Sequence, residues 1–285
     1  MANRIHVVEC PRDAMQGWSH FIPTEAKIGY LNMLLQAGFD TIDFGSFVSP
    51  KLIPQMRDTK EVLQGLDLSQ SVSKLLAIVA NVRGAEEALQ NQVINYLGYP
   101  FSVSPTFQLR NTNATMEKSL QTVETITNLC KGSGRKLVIY ISMAFGNPYG
   151  DEYTPELVVD WLEKITAFGV DTISLADTVG VATPRQVFEI ADHLVKKLPA
   201  QDFGVHLHSG PQGWQEKLQA ALDAGCRRFD GAINGIGGCP MAGDALVGNM
   251  STGPMLGYFE SKGYFTGVSK QKLAEAELAA NSIFI

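Results

Sequence analysis

Short apolar runs rich in β-branched residues alternate with longer amphipathic segments along the whole chain. A run of four to eight such residues is typical of a buried strand, and apolar residues at three- and four-residue spacing are typical of a helix. This pattern predicts strands at 5–10, 41–47, 74–80, 93–97, 136–143, 172–177, 203–208 and 228–233. It predicts helices at 24–37, 116–130, 155–168, 184–198 and 214–224.

The order of these elements predicts the fold class. A helix–Gly–x–strand phrase occurs three times, around Gly38, Gly169 and Gly225, which indicates a repeated βα unit. Eight strands, each followed by a helix or loop, predict an α/β protein with a (β/α)₈ TIM barrel. A doubly wound sheet is the alternative, but it normally has a glycine-rich first turn, and here the first predicted strand is followed by Pro11 and Arg12.

No linker or low-complexity segment divides the chain, so we predict that residues 1–285 form a single domain. The tail, residues 270–285, has the pattern of a final helix. We expect it to form a C-terminal helical extension that packs against the barrel.

Polar residues follow several of the predicted strands, where a TIM barrel carries its functional side chains. Because the carboxyl ends of all eight strands meet at one mouth, these side chains are expected to converge. The candidates, in chain order, are Arg12, Asp13, Asp43, Ser46, Asp177, His206, His208, Asn234, Cys239 and Asn249.

His206 and His208 are the most informative pair. Side chains alternate along a strand, so both imidazoles are expected on one face, where they could chelate a metal ion. Carboxylate, imidazole and amide donors together suit Mg²⁺ or Mn²⁺, with Zn²⁺ as an alternative. Two histidines that only hydrogen-bond at a strand end are the structural alternative.

The other candidates also have structural alternatives. Asp13 could begin a turn, Asp177 could cap the loop after the sixth strand, and Cys239 could be a packing residue in its glycine-rich loop. A carboxylate at Asp43, inside an apolar strand, needs a partner, and Arg12 is the natural one. The convergence of all these groups at one mouth favours a functional site.

Charge and cysteine content exclude several classes of protein. The net charge of −6 argues against non-specific nucleic-acid binding. No run approaches the ~20 apolar residues of a membrane span, and the N-terminus lacks the apolar core of a signal peptide. The four cysteines show no C-x-x-C spacing. We expect a cytoplasmic protein with neither nucleic acid nor membrane as a partner.

Five stretches make the chain recognisable. They are ECPRDAMQ at 9–16, SFVSPK at 46–51, ISLADTVG at 173–180, HLH at 206–208, and GGCP at 237–240 followed by Gly248 and Asn249. In these stretches the chain resembles the 3-hydroxy-3-methylglutaryl-CoA lyases, members of a TIM-barrel metallolyase group. The resemblance extends over nearly the whole chain, and the SFVSPK and GGCP motifs are specific to the lyase branch.

The resemblance implies a carbon–carbon lyase that uses a divalent metal to cleave an acyl-CoA substrate, 3-hydroxy-3-methylglutaryl-CoA, into acetoacetate and acetyl-CoA. It implies a role in leucine degradation and ketone-body formation, and such barrels are commonly homodimers. The metal ligands it implies are Asp13, His206, His208 and Asn249.

The resemblance also implies catalytic roles. Arg12 would polarise the thioester carbonyl and stabilise the enolate, and Asp43 stands where the family has a glutamate that holds this arginine. Asp177 matches a carboxylate near the substrate. Cys239 matches a cysteine on a loop that closes over the site. The chemistry of the cleavage itself requires a base and an acid: a carboxylate or His206 can accept the hydroxyl proton, and Cys239 can protonate the enolate.

Several residues depart from the family pattern: Cys10 and Ala14 replace glycines, Asp43 replaces glutamate, Ser209 replaces aspartate, and Gly253 replaces an acidic residue. Two alternatives therefore stay open. One is a lyase or aldolase of the same group acting on a related 3-hydroxyacyl-CoA or a 4-hydroxy-2-oxo acid. The other is a catalytically inactive barrel that acts as a binding or scaffold protein, which need not bind metal.

Overall fold

Eight parallel strands close into a barrel in the computed structural model, which describes residues 3–238 and 247–285. The strands follow chain order around the barrel, and β1 closes it by pairing with both β2 and β8. The predicted (β/α)₈ fold is confirmed. The strands are β1 His6–Glu9, β2 Thr41–Ser46, β3 Lys74–Ile78, β4 Ile94–Ser102, β5 Lys136–Ser142, β6 Thr172–Ala176, β7 Asp202–His206 and β8 Arg228–Gly231.

Helices surround the barrel. In the described ranges they are α1 Pro11–Gln16, α2 Thr24–Ala37, α3 Thr59–Gln64, α4 Val82–Leu89, α5 Pro105–Thr112, α6 Met116–Ser133, α7 Pro155–Thr166, α8 Pro184–Lys197, α9 Trp214–Asp223, α10 Thr252–Ser261 and α11 Lys270–Ile283. Among these helices, none has the length and apolarity that a bilayer crossing requires.

The apolar core lies mainly between the strands and the surrounding helices. Ile42 and Phe44 of β2 and Ile139 and Ile141 of β5 belong to this outer core. The barrel interior is different, because it combines a small apolar cluster around Leu76 with buried polar side chains. That polar interior lies beneath the candidate residues at the carboxyl ends of the strands.

The predicted fourth strand, 93–97, is too short: β4 continues to Ser102. Gly98 and Pro100 resemble turn residues in the sequence, but both lie in the ladder with β5. Gly98 is needed because a Cβ there would lie 2.6 Å from the Ile78 side chain and 3.0 Å from the Tyr140 ring. These residues fit a crowded barrel interior and do not end the strand.

Two further elements, α1 and α11, lie near the two ends of the chain. Pro11 begins α1 directly after β1, where a proline suits the first helical position, so Arg12 and Asp13 lie on a helix and the turn interpretation of Asp13 is wrong. The predicted C-terminal helical extension is confirmed as α11, which packs against α2. Phe284 at its end makes edge contacts with Trp18 and Tyr30.

Candidate active site

A cavity of about 980 Å³, counted with its open mouth, lies at the carboxyl ends of the strands. One wall is apolar and includes Leu52, Ile53 and Phe107. The rest is lined by the polar side chains of Arg12, Asp13, Gln16, Ser46, Asn111, Ser142, Thr178, His206 and His208. An apolar cleft with a few converging polar groups is typical of a small-molecule site.

Arg12 is held by two carboxylates. Its Nε and Nη2 donate to Asp43 Oδ2 at 3.0 and 2.5 Å, and its Nη1 donates to Asp13 Oδ1 at 3.0 Å. The predicted partnership of Arg12 with Asp43 is therefore present, and the fork of the guanidinium is fixed in direction. The two carboxylates raise the pKa of Arg12 against the opposing effect of burial, so its positive charge is permanent.

Burial has the largest effect on the pKa of Asp43 and raises it to about 6, although Arg12 opposes this increase. Asp43 lies on β2, inside the barrel wall. It is not among the described residues that line the cavity. Its position is that of a support for Arg12.

Asp13 is the carboxylate that reaches the cavity. Burial tends to raise its pKa, but Arg12, His206 and His208 outweigh this effect and lower it, so the group is ionised at neutral pH. Asp13 Oδ1 also accepts a hydrogen bond from Gln16 Nε2 at 2.6 Å, one turn along α1. The short helix therefore presents a charged, oriented carboxylate.

His206 and His208 face each other, as the alternation predicted, with 3.1 Å between their Nε2 atoms. The regular strand ends at His206, and His208 forms a bridge with Asn249. His208 Nδ1 lies 2.7 Å from the Val247 carbonyl, which can only accept, so His208 carries its proton on Nδ1. His206 Nδ1 lies 3.2 Å from Asp230 Oδ2, which favours the same tautomer.

Two neutral imidazoles of this tautomer would direct two lone pairs at each other, an arrangement that needs a proton or a cation between them. Burial lowers the pKa of His206, but the hydrogen bond and the charge of Asp230 and the charge of Asp13 together outweigh burial and raise the pKa. Burial and the neighbouring His206 lower the pKa of His208. The facing Nε2 atoms therefore mark the position where a metal ion would bind between the two rings. The donor atoms of Asp13, His206 and His208 all lie within 4.8 Å of one another.

Asn249 completes this group. Its Nδ2 donates to Asp13 Oδ2 at 2.7 Å and to the Ile236 carbonyl at 2.9 Å, which leaves Oδ1 as the atom it can offer to a metal. The loop approaches closely at Gly237, where a Cβ would lie 2.7 Å from Asn249 Nδ2 and 2.8 Å from the Asp13 carbonyl. The four predicted ligands are therefore adjacent, and their donor atoms suit a divalent cation.

Two of the described sequence candidates, Asp177 and Asn234, lie away from this group. Asp177 is fully buried and does not line the cavity: Lys217 Nζ donates to its Oδ2 at 2.8 Å, and the Ala182 amide donates to its Oδ1 at 3.0 Å. Asn234 turns away and bonds to Asn281 on α11. Cys239 lies outside the described residues.

Several buried polar residues around the site were not among the candidates predicted from the sequence. Asp230 supports His206, Lys217 pairs with Asp177, and Glu9 accepts hydrogen bonds from the Ile233 amide and the Thr252 hydroxyl. Tyr140 lines the cavity, and its hydroxyl has no hydrogen-bond partner among the described residues. A charged residue on an otherwise apolar strand or helix face was the available signal for Asp230 and Lys217.

Comparison with known proteins decides the family. A sequence profile described as HMGL-like matches residues 5–279. The chain belongs to the HMGL-like family. Its relatives include a hydroxymethylglutaryl-CoA lyase of Bacillus subtilis, 34% identical over 93% of this chain and 88% of that protein. The mitochondrial hydroxymethylglutaryl-CoA lyase of Homo sapiens is 32% identical over 97% of this chain and 84% of that protein.

A solved structure of this HMGL-like fold is similar over the entire chain. It is an HMG-CoA lyase from Acinetobacter baumannii in complex with coenzyme A and 3-methylmalate, with a TM-score of 0.92 and 30% sequence identity. The match covers 100% of this chain and 92% of that chain. The resemblance stated from five short stretches is therefore confirmed over the full length.

Proposed function

We propose that this protein is a single-domain hydroxymethylglutaryl-CoA lyase, with residues 1–285 forming the lyase domain. It would cleave the C2–C3 bond of 3-hydroxy-3-methylglutaryl-CoA to give acetoacetate and acetyl-CoA. The observation that carries the proposal is the convergence of Arg12, Asp13, His206, His208 and Asn249 at one barrel mouth, in a chain of the HMGL-like family.

We propose Asp13, His206, His208 and Asn249 as the ligands of a divalent cation, Mg²⁺ or Mn²⁺, with Zn²⁺ as the alternative. The support is geometric: two Nε2 lone pairs face each other beside an ionised carboxylate and an amide. A divalent cation there would bind the substrate's hydroxyl and lower its pKa.

Arg12 would stabilise the charge that forms when the bond breaks. The electron pair of the C2–C3 bond moves onto the thioester as an enolate, and a fixed guanidinium near that oxygen lowers the energy of the transition state. Asp43 holds the guanidinium in a dry environment, so no reorganisation is needed during the reaction. Arg12 is thus a catalytic residue and Asp43 a positioning residue.

Two proton transfers complete the reaction. The hydroxyl proton must pass to a group that lines the cavity, and among the described residues Asp13 and His206 meet this condition whereas Asp43 and Asp177 do not. His208 also lines the cavity, but of the two histidines it is the weaker base, because its pKa is lowered and that of His206 is raised. We propose Cys239 as the acid that protonates C2 of the enolate, as the family pattern implies.

The experiment that tests the reaction type measures both products. Purified protein with Mg²⁺ or Mn²⁺ and 3-hydroxy-3-methylglutaryl-CoA is expected to release acetoacetate and acetyl-CoA in equal amounts. Parallel reactions contain a 3-hydroxyacyl-CoA without the 3-methyl group and a 4-hydroxy-2-oxo acid. Faster cleavage of either compound would replace the proposed substrate, and no cleavage of any of them would contradict lyase activity.

The assembly and the cellular location predicted from the sequence, a homodimer in the cytoplasm, stay predictions. Light scattering of the purified chain over a range of concentrations tests the first. Fractionation of the source cells tests the second.

A further inference from the structure

Lys217 is a buried lysine whose ammonium group joins three elements beside the histidine pair. It lies on α9 with 7% of its surface exposed. Its Nζ donates to Asp177 Oδ2 after β6 at 2.8 Å, to the His208 carbonyl after β7 at 2.9 Å, and to the Gly180 carbonyl at 3.3 Å. An ammonium has three protons to donate, and all three have an acceptor here.

Each of the three acceptors is connected to the predicted metal ligands by hydrogen bonds or packing contacts. The Asp177 amide donates to the His206 carbonyl at 3.0 Å. Gly180 packs on Val247, since a Cβ there would lie 2.7 Å from Val247 Cγ1, and the Val247 carbonyl orients His208 through Nδ1. Lys217 therefore contacts His208 directly through the backbone and indirectly through the residue that fixes its ring.

We propose that Lys217 is a positioning residue that holds His208, and with it the facing Nε2 atoms, in the geometry that binds the cation. This inference rests on the proposed function of the site. Without the ammonium, the His208 carbonyl would lose a charged donor, and the ends of β6 and β7 would lose their common anchor. Partners that orient the ligands of a metal site typically change its affinity by about 10–100-fold when they are removed.

A second buried lysine provides a matched control. Lys27 is 2% exposed, forms an ion pair with Asp58 at 2.7 Å, and also donates to the Gln55 carbonyl. Its partners are not predicted metal ligands. Loss of either ammonium leaves a buried carboxylate without its ion-pair partner, which lowers the stability of the fold. Comparison of the Lys217–Asp177 and Lys27–Asp58 ion pairs therefore distinguishes an effect on the metal site from a general loss of stability.

The test compares Lys217→Met with Lys27→Met in the full chain. Methionine keeps an unbranched stem and removes the charge. Metal-stripped proteins are titrated with Mn²⁺ by calorimetry, their unfolding is measured in urea, and kcat is measured at rising Mn²⁺. We expect both variants to lose stability, but Lys217→Met alone to bind Mn²⁺ about 10–100-fold more weakly, with kcat largely restored by excess Mn²⁺.

A third variant keeps the test decisive if Lys217→Met does not fold. Asp177→Asn combined with Lys217→Met removes both charges, so no unpaired carboxylate is left. A folded single or double variant that binds Mn²⁺ as tightly as the wild type would overturn the proposal. If the wild type itself bound no Mn²⁺, the proposed metal site would be wrong instead, so the two failures are distinguishable.

Discussion

Arg12 shows how one residue links the two halves of the site. Its guanidinium donates to Asp43, inside the barrel wall, and to Asp13, the carboxylate that faces the cavity. The same side chain therefore neutralises a buried charge and orients a predicted metal ligand. A substitution here tests catalysis only if metal binding and folding are measured alongside the rate.

We expect Arg12→Gln to keep the cation bound and to lower kcat by about 10²–10³-fold, which corresponds to about 2.7–4 kcal/mol of lost transition-state stabilisation. Gln has no positive charge to place near the enolate oxygen. Steady-state kinetics at saturating metal, with calorimetry of metal binding, check this. Arg185→Gln, on an exposed arginine paired with Glu189, is the control and should leave kcat unchanged. A wild-type kcat in metal-loaded Arg12→Gln would rule out the proposed role.

Glu9 is a second residue whose burial determines its chemistry. It is fully buried, and burial raises its pKa to about 8, although the hydrogen bonds from Thr252 and Ile233 oppose this. At neutral pH the folded protein therefore keeps this carboxyl protonated, whereas the unfolded chain ionises it near the ordinary value of 4.5. Glu9 thus joins β1 to the segment after β8 as a neutral group.

This difference gives the stability a defined dependence on pH. Between pH 4.5 and about 8 the folded state binds a proton that the unfolded state has released, so the free energy of unfolding falls as pH rises, by up to about 1.4 kcal/mol per pH unit from this group. Glu9→Gln should flatten that decline, because glutamine resembles the protonated form. Urea unfolding from pH 5 to 8 measures it, and Glu86→Gln, on the exposed side of α4, is the control. If the free energy of unfolding of wild type and Glu9→Gln changed with pH in the same way, Glu9 would not be protonated in the folded protein at neutral pH.

At the scale of elements, Gly237 shows how closely the backbone after β8 approaches the site. Gly237 has φ +102° and packs against both Asn249 and Asp13. Gly134, at the end of α6, also has a left-handed φ of +68° but no atom within 4 Å of its missing Cβ. Both positions strain an L-residue, whereas only Gly237 contacts predicted metal ligands.

Alanine at each position separates these effects. Left-handed backbone costs an L-residue about 1–2 kcal/mol, so both Gly237→Ala and Gly134→Ala should lose stability. Gly237→Ala should in addition displace Asn249 or Asp13 and weaken Mn²⁺ binding by about tenfold or more. Calorimetry on the metal-stripped variants measures this. Equal Mn²⁺ affinity in the two variants would show that the approach of Gly237 does not shape the site.

The elements also show how far the sequence allowed prediction. Short apolar runs identified all eight strands, and apolar residues at three- and four-residue spacing located α2, α6, α7, α8, α9 and α11, whereas α10 was not predicted. The short helices α1, α3, α4 and α5 escaped because six to eight residues contain too few repeats to establish a helical period. β4 was cut short because Gly98 and Pro100 are turn residues in most contexts, and only the crowded barrel interior explains the glycine at position 98.

The same contrast applies to the site. Residues that follow strands, such as Asp13 and His208, were predictable because every strand of the barrel ends at the same mouth. Lys217 and Asp230 were not, because their roles depend on partners distant in sequence that only the folded barrel brings within hydrogen-bond distance. Asp177 was predicted as a carboxylate near the substrate, and its burial against Lys217 supports a positioning role instead.

At the scale of the whole molecule, closing the barrel assembles the site. Asp13 follows β1 and Asn249 follows β8, and they become neighbours because those two strands pair. His206 ends β7 and His208 follows it, and β7 pairs with β8. The four proposed ligands, from distant parts of the chain, therefore meet only in the folded protein. A cation that binds the folded state alone should raise the unfolding midpoint with its concentration.

The most direct test of the central claim is to measure metal content and turnover on the same sample. Chelator-treated protein is reloaded with increasing Mn²⁺ or Mg²⁺ and supplied with 3-hydroxy-3-methylglutaryl-CoA, and bound metal and acetoacetate are both quantified. We predict that activity is absent without metal, rises with occupancy to one ion per chain, and is lost together with metal in Asp13→Ala. Full turnover in metal-free protein, or unchanged metal binding in Asp13→Ala, would contradict the assignment of these residues as the ligands of a catalytic metal.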